Sequence, residues 1–199
     1  MIKNIIFDFG NVLITWDPRR IFRQVVPAEE LDNFMRNVWK EEWNNNLDGG
    51  ASFADNERNL KKKYPQHSEY IAAFHARWYE SLGDENGESV ALLAQLQKLG
   101  YAAYGLSNWS AESFPVTRKA HPFFDSFNGI VLSGEEKVCK PNPQIYAILL
   151  ERYRLLPSQC VFLDDRQENL DTAKEMGMAT ILFTSAAEAR EELKRMGAL

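Results

Sequence analysis

Three short apolar runs, Ile5–Phe7, Ala102–Leu106 and Cys160–Leu163, each end in a polar residue and lead into a segment with helical spacing. Continuous apolar runs of this kind, with no polar alternation, mark strands buried on both faces, as in a parallel sheet. Ala179–Phe183, after Gly177, reads the same way, and Gly129–Leu132 is a weaker fifth strand. The intervening segments carry helix punctuation. Leu92, Leu96 and Leu99 share one face of a helix over Glu88–Leu99 that stops at Gly100. Asn142-Pro143 supplies a cap and a first-turn proline ahead of Ile145, Tyr146, Leu149 and Leu150. Gln167–Met176 ends at Gly177, and Ser185 with Glu188 forms a capping box for a last helix. Strand–helix alternation from residue 86 onward predicts an α/β domain with a parallel sheet.

Residues 17–85 break this pattern. They hold no convincing strand, and Pro18–Val26, Pro27–Lys40, Ser52–Lys63 and Gln66–Leu82 read as helices separated by Gly49-Gly50 and Pro65. The first strand is thus cut off from its sheet by an insert too long for a loop. The expected organisation is an α/β core from residues 1–16 and 86–199, with a small helical subdomain over 17–85.

Composition narrows the class. A chain of 199 residues that is 45% hydrophobic supports a core without disulfides or metal staples. Its net charge of −5 argues against a nucleic-acid partner, which requires a clustered basic face. The two cysteines, Cys139 and Cys160, are expected to be reduced thiols. No segment approaches the ~20 apolar residues of a spanning helix. The expectation is a cytoplasmic protein without a membrane partner, a monomer or weak dimer.

In an open parallel sheet, ligands bind outside the carboxyl ends of the strands. Those ends here carry Asp8, Ser107-Asn108 and Asp164-Asp165, with Lys140 in the loop before the Asn142 helix. Taken singly, each has a plain structural role as a turn or cap residue. Together they would place three carboxylates, a hydroxyl and an ammonium on one edge. Packed carboxylates repel unless a cation sits among them, and oxygen ligands of this kind suit Mg²⁺. A Mg²⁺ site beside a lysine suits a phosphate oxyanion.

This ordered set resembles the haloacid dehalogenase superfamily of phosphohydrolases. The matching segments are Ile5-Ile6-Phe7-Asp8-Phe9-Gly10-Asn11-Val12, Tyr104-Gly105-Leu106-Ser107-Asn108, Lys140-Pro141-Asn142-Pro143-Gln144-Ile145-Tyr146 and Val161-Phe162-Leu163-Asp164-Asp165-Arg166. The first and third look like the branch that holds sugar-1-phosphate phosphatases. The resemblance implies a doubly wound, Rossmann-like parallel sheet with an inserted helical cap. It further implies that Asp8 attacks phosphorus, forming an aspartyl-phosphate. Asp8, the Gly10 carbonyl and Asp165 would hold Mg²⁺, with Asp164 in support. Ser107 and the Asn108 amide would bind phosphoryl oxygens, and Lys140 would neutralise charge.

Two departures stand out. Gly10 occupies the place of the Asp that usually protonates the leaving group, a loss worth roughly 10²–10⁴-fold unless compensated. Either the leaving group needs little protonation, as an anomeric oxygen would, or another carboxylate such as Asp17 or Asp164 supplies the proton. Lys137 stands where related sequences often have Gly, and would alter the loop or add a charge facing phosphate. Substrate choice is expected to lie in the insert. Trp43, beside Asn44-Asn45-Asn46, is the expected exposed sugar-facing indole, and Trp109 is a candidate for the site mouth. His67, His75 and His121 show no metal-ligand spacing. The expected substrate is a small phosphorylated metabolite, a sugar phosphate above all. Two other readings are a metal-independent dehalogenase and a phosphate-binding relative without turnover.

Overall fold

The computed structural model describes residues 1–199. Five parallel strands form the central sheet: β1 (Asn4–Phe7), β4 (Ala102–Ser107), β5 (Gly129–Leu132), β6 (Cys160–Asp164) and β7 (Ala179–Leu182). Their order is β5-β4-β1-β6-β7, so β1 is central and the chain runs outward first to one side of it and then to the other. β1 and β6 are in register from Asn4↔Cys160 to Phe7↔Leu163, and Asp8 N–H donates to the Leu163 carbonyl at 2.9 Å. The residues after these two strands therefore flank the point where strand order reverses, which is where open α/β sheets bind ligands.

The expected strands are all present. The caps also form as read: the Asn142 side chain accepts from Gln144 N–H, and Ser185 accepts from Glu188 N–H. The helices they open are α9 (Pro143–Arg152) and α11 (Ala186–Arg195), and α6 (Gly87–Lys98) and α10 (Gln167–Glu175) complete the set expected around the sheet. Between α6 and α9 the core also carries the short α7 (Phe114–Ala120) and α8 (Ser133–Glu136). One buried cluster contains Ile6, Leu106, Ile145, Tyr146 and Phe162; the larger one contains Ile5, Phe7, Phe9 and Phe124 and extends through the helices of residues 19–76.

The segment read as strand-free contains one. β2 (Ile14–Trp16) pairs antiparallel with β3 (Leu82–Glu85), an irregular ribbon where the chain leaves and re-enters the α/β part. With three and four residues and only one strong apolar position in Leu-Gly-Asp-Glu, neither strand shows the alternation that identifies one in sequence. Between them lie α1 (Arg19–Phe22), α2 (Leu31–Asn37), α3 (Glu42–Asp48), α4 (Phe53–Lys63) and α5 (Ser68–Ala76). α1, α2 and α5 are shorter than expected, and α3 was not expected at all. Ser52 caps α4 by accepting from Asp55 N–H at 3.0 Å, as its spacing predicts. The two cysteines are unpaired. No helix is long and apolar enough to cross a membrane.

Gly105 of β4 gives Phe9 its place. A Cβ there would lie 2.2 Å from the Phe9 ring, which is fully buried against Trp109, Phe114, Phe124 and Phe127. Overpacking of this kind costs about 1–3 kcal/mol. Gly105→Ala is expected to lower the unfolding midpoint in urea accordingly; an unchanged midpoint would show that the ring moves freely.

Candidate active site

Asp8, the first residue after β1, is almost fully buried, and its two oxygens are used differently. Oδ1 accepts from Phe9 N–H at 2.7 Å and Ser107 Oγ at 2.8 Å, and lies 3.0 Å from Lys140 Nζ. Oδ2 takes no protein donor, which leaves it open to a ligand. Ser107, the last residue of β4, reaches Asp8 because β1 and β4 run in register up to Phe7↔Gly105.

Lys140 is the electrostatic centre. Its Nζ lies 2.6 Å from Asp164 Oδ2 as well as 3.0 Å from Asp8, with its side chain 1% exposed. Burial by itself pulls its pKa down, but the charges of Asp8 and Asp164 outweigh that and raise it above the ordinary lysine value. Asn108 fixes the main chain of Lys140: its Nδ2 donates to the Lys140 carbonyl at 3.0 Å, and Lys140 N–H donates to its Oδ1 at 2.8 Å. The Asn108 carboxamide thus positions the lysine, and its own main-chain N–H has no protein acceptor.

Asp164 and Asp165 close β6. Asp164 has no exposure, and its oxygens are taken by Lys140, by Asn169 Nδ2 at 2.9 and 3.0 Å, and by Arg166 N–H at 2.8 Å. Asp165 is half-buried and receives only Asn11 Nδ2, at 3.3 Å. Ligand atoms of Asp8, Asp164 and Asp165 lie within 4.8 Å of one another. Burial, together with the neighbouring Asp164 charge, raises the pKa of Asp165. Burial pushes Asp8 up to about 7, with Asp164 adding to the rise and Lys140 opposing it. Three carboxylates against one ammonium leave excess negative charge, and the donors are all hard oxygens, so the set fits a divalent cation of the Mg²⁺ kind.

Above this cluster is a cavity of about 230 Å³ lined by seventeen residues. Only four of those are hydrophobic, and all four are indoles: Trp16, Trp39, Trp78 and Trp109. Gly10, Asn11, Asn44, Asn45, Asp48 and Arg166 complete much of the wall. Trp109 thus lines the site as expected. Trp43 does not. It is fully buried, packed against Phe22, Trp39 and Phe74 with ring centroids 6.2, 5.3 and 6.4 Å away. The physical reason is α3: its period sends Trp43 and Leu47 into the core, while Asn44 and Asp48 line the cavity. The two i, i+4 pairs Trp43/Leu47 and Asn44/Asp48 were the available signal.

The remaining candidates lie elsewhere. Asp17 Oδ1 accepts from Arg19 N–H at 2.8 Å and is not a cavity residue. His75 bonds Asn56 and the Ile71 carbonyl, and His121 bonds Glu85. Lys137 ends α8 at φ 57°, a left-handed conformation that glycine adopts most easily, and its stem packs against Gly50 away from the cavity. Gly10 has no positive φ, and a Cβ built on it meets nothing within 4 Å, so the backbone there does not require glycine.

Comparison with known proteins agrees with this geometry. The chain is 28% identical to the sesquiterpene phosphatase astK of Aspergillus oryzae, over 98% of this chain and 96% of that protein. It is 25% identical to a D-ribitol-5-phosphate phosphatase of Bacteroides thetaiotaomicron, over 97% of each. A crystal structure of a haloacid dehalogenase family enzyme from the same bacterium, in complex with magnesium and inorganic phosphate, superposes with a TM-score of 0.72. It is 25% identical and covers 91% of this chain and 93% of its own. The family model for haloacid dehalogenase-like hydrolase matches residues 2–177, and the chain belongs to that family of hydrolases.

Proposed function

We propose that this protein is a Mg²⁺-dependent phosphatase of small, polyhydroxylated phosphate monoesters, sugar or sugar-alcohol phosphates, acting through an aspartyl-phosphate on Asp8. The observation that carries the reading is the division of labour at Asp8. Oδ1 is held by three donors, and Oδ2 is open beneath the cavity with Lys140 and Ser107 beside it. A carboxylate so fixed is a positioned nucleophile. Lys140 and the Asn108 main-chain N–H would supply positive charge and a donor to the phosphoryl oxygens, and phosphoryl transfer depends mainly on such positioning. The helical segment between β2 and β3, residues 17–85, would act as the cap that selects the substrate.

Asp8, Asp165 and the Gly10 carbonyl would hold Mg²⁺, with Asp164 too fully bonded to serve as a direct ligand. When bound, the ion neutralises charge on the phosphoryl oxygens. The same carboxylates speak against a metal-independent dehalogenase, because they would repel a carboxylate substrate.

The substrate class rests on the walls. Indole faces interspersed with Asn44, Asn45, Asp48 and Arg166 offer flat apolar surfaces and many hydrogen-bond partners, which suits a polyol better than a hydrocarbon chain. A D-ribitol-5-phosphate phosphatase among the similar proteins supports this; the sesquiterpene phosphatase marks the competing apolar class. A screen of sugar, polyol and prenyl phosphates with Mg²⁺, read as phosphate release, is expected to favour the first two. Preference for the prenyl esters would overturn the class, and absence of any release would overturn the activity.

Two substitutions test the machinery. Asp8→Asn is expected to lower kcat at least about 10³-fold in a folded protein, since an amide cannot attack phosphorus. Near-normal turnover would remove the covalent route. Asp165→Asn is expected to raise the Mg²⁺ concentration for half-maximal activity about tenfold or more, and Asp164→Asn much less. Equal shifts would contradict the assignment of ligand and support.

A further inference from the structure

Gly10 leaves the proposed reaction without the proton donor that its position would supply, and one other carboxyl in the cavity is held with an oxygen free. Asp48, at the end of α3, is a cavity-lining residue with 8% exposure. Its Oδ2 accepts from Asn44 Nδ2 at 2.8 Å, and Asn44 Oδ1 in turn accepts from Trp78 Nε1 at 2.8 Å. Its Oδ1 has no protein partner and is not sealed from solvent, and the residue lines the cavity. The main chain is fixed too: Ser133 Oγ donates to the Asp48 carbonyl at 2.6 Å, which ties α3 to the α/β part. This is a held carboxyl with one oxygen free, in the same cavity as Asp8.

Its surroundings favour the protonated form. Burial raises the Asp48 pKa well above the ordinary carboxyl range, and the charge of Asp8 raises it further. Asn44 and Lys140 oppose the rise less strongly, and the Cys139 thiol is the other titratable group nearby. The two residues that sequence reasoning offered for the role do not fit it. Asp17 is outside the cavity, and Asp164 has its oxygens occupied. Glu41, also on the wall, is exposed to solvent.

We propose that Asp48 is the general acid, and then the general base, of the reaction, in place of the aspartate absent at position 10. The inference rests on the phosphatase reading above. In the first step Asp8 Oδ2 bonds to phosphorus as the bond from phosphorus to the leaving oxygen breaks. The Asp48 proton passes to that oxygen, giving a neutral alcohol and an Asp48 carboxylate. In the second step water adds to phosphorus and gives one proton to Asp48. The bond from Asp8 to phosphorus breaks, and phosphate leaves with both side chains restored.

Leaving-group dependence tests this. p-Nitrophenyl phosphate and phenyl phosphate have similar shapes, and only the second leaves as a poor oxyanion. The value of kcat/KM reads the steps up to departure of the alcohol. Asp48→Asn is expected to lower it for phenyl phosphate by about 10²–10⁴-fold, and for p-nitrophenyl phosphate by at least about tenfold less. Adding Gly10→Asp, at a position where a Cβ meets nothing within 4 Å, is expected to restore part of the phenyl phosphate rate. Equal losses for both esters, or no loss for either, would overturn the assignment. A second measurement does not depend on how Asp48→Asn folds. The unaltered protein is expected to show kcat/KM values for the two esters within about a hundredfold of each other, because an acid is already present to protonate the poorer leaving group; a larger preference for p-nitrophenyl phosphate would show that the acid is missing and overturn the proposal. Failure of the unaltered protein to release phosphate from either ester would instead remove the phosphatase reading, and this inference with it.

Discussion

Lys140 Nζ lies 3.0 Å from Asp8 and 2.6 Å from Asp164, with all three side chains nearly out of water. Two carboxylates this close to each other in a buried site are tolerable only with a positive charge between them, and removing one member of such a group typically costs about 3–5 kcal/mol. The rest of the site is arranged around that ammonium. Asn108 secures its main chain, Asn169 and the Arg166 N–H complete the hydrogen bonding of Asp164, and Ser107 shares Asp8 with it. Asp165 is the carboxylate the lysine does not reach, and the negative charge that remains around it is the physical reason the cluster could hold a divalent cation.

The fold makes this arrangement by topology. Strand order β5-β4-β1-β6-β7 puts β1 between β4 and β6, so residues nearly 160 apart in the chain, Asp8 and Asp165, emerge side by side. Those strand ends form the charged floor of the cavity. Trp39, Asn44, Asn45, Asp48 and Trp78 of its wall come from outside the sheet, from the segment that the β2–β3 ribbon carries. α3 supplies Asn44, Asn45 and Asp48 to the cavity, and the hydrogen bond from Ser133 to the Asp48 carbonyl fixes that helix against the α/β part.

The parallel strands were legible because each is buried on both faces and reads as an unbroken apolar run. The charged residues at their ends were legible because ligand chemistry gathers there. What sequence reasoning missed lies almost wholly in residues 14–85. β2 and β3 are short and pair only with each other, so their stability is tertiary rather than local. α3 is short and rich in Asn, a residue that favours turns and caps over helix interiors, and this hides its period. The error at Trp43 and the oversight at Asp48 have that single source. Once α3 is a helix, the indole goes inward and the carboxylate goes to the cavity. Lys137 shows the converse: a non-glycine residue held in a left-handed conformation by the end of α8, outside the cavity wall.

The central claim is that Asp8 carries the phosphoryl group during turnover. Acid quenching of the protein with Mg²⁺ and p-nitrophenyl phosphate at steady state, followed by peptide mass mapping, tests it most directly. The account predicts one phosphoryl adduct on the peptide that contains Asp8, and none in Asp8→Asn. An adduct on another residue, or an equal adduct in the Asp8→Asn protein, would contradict it.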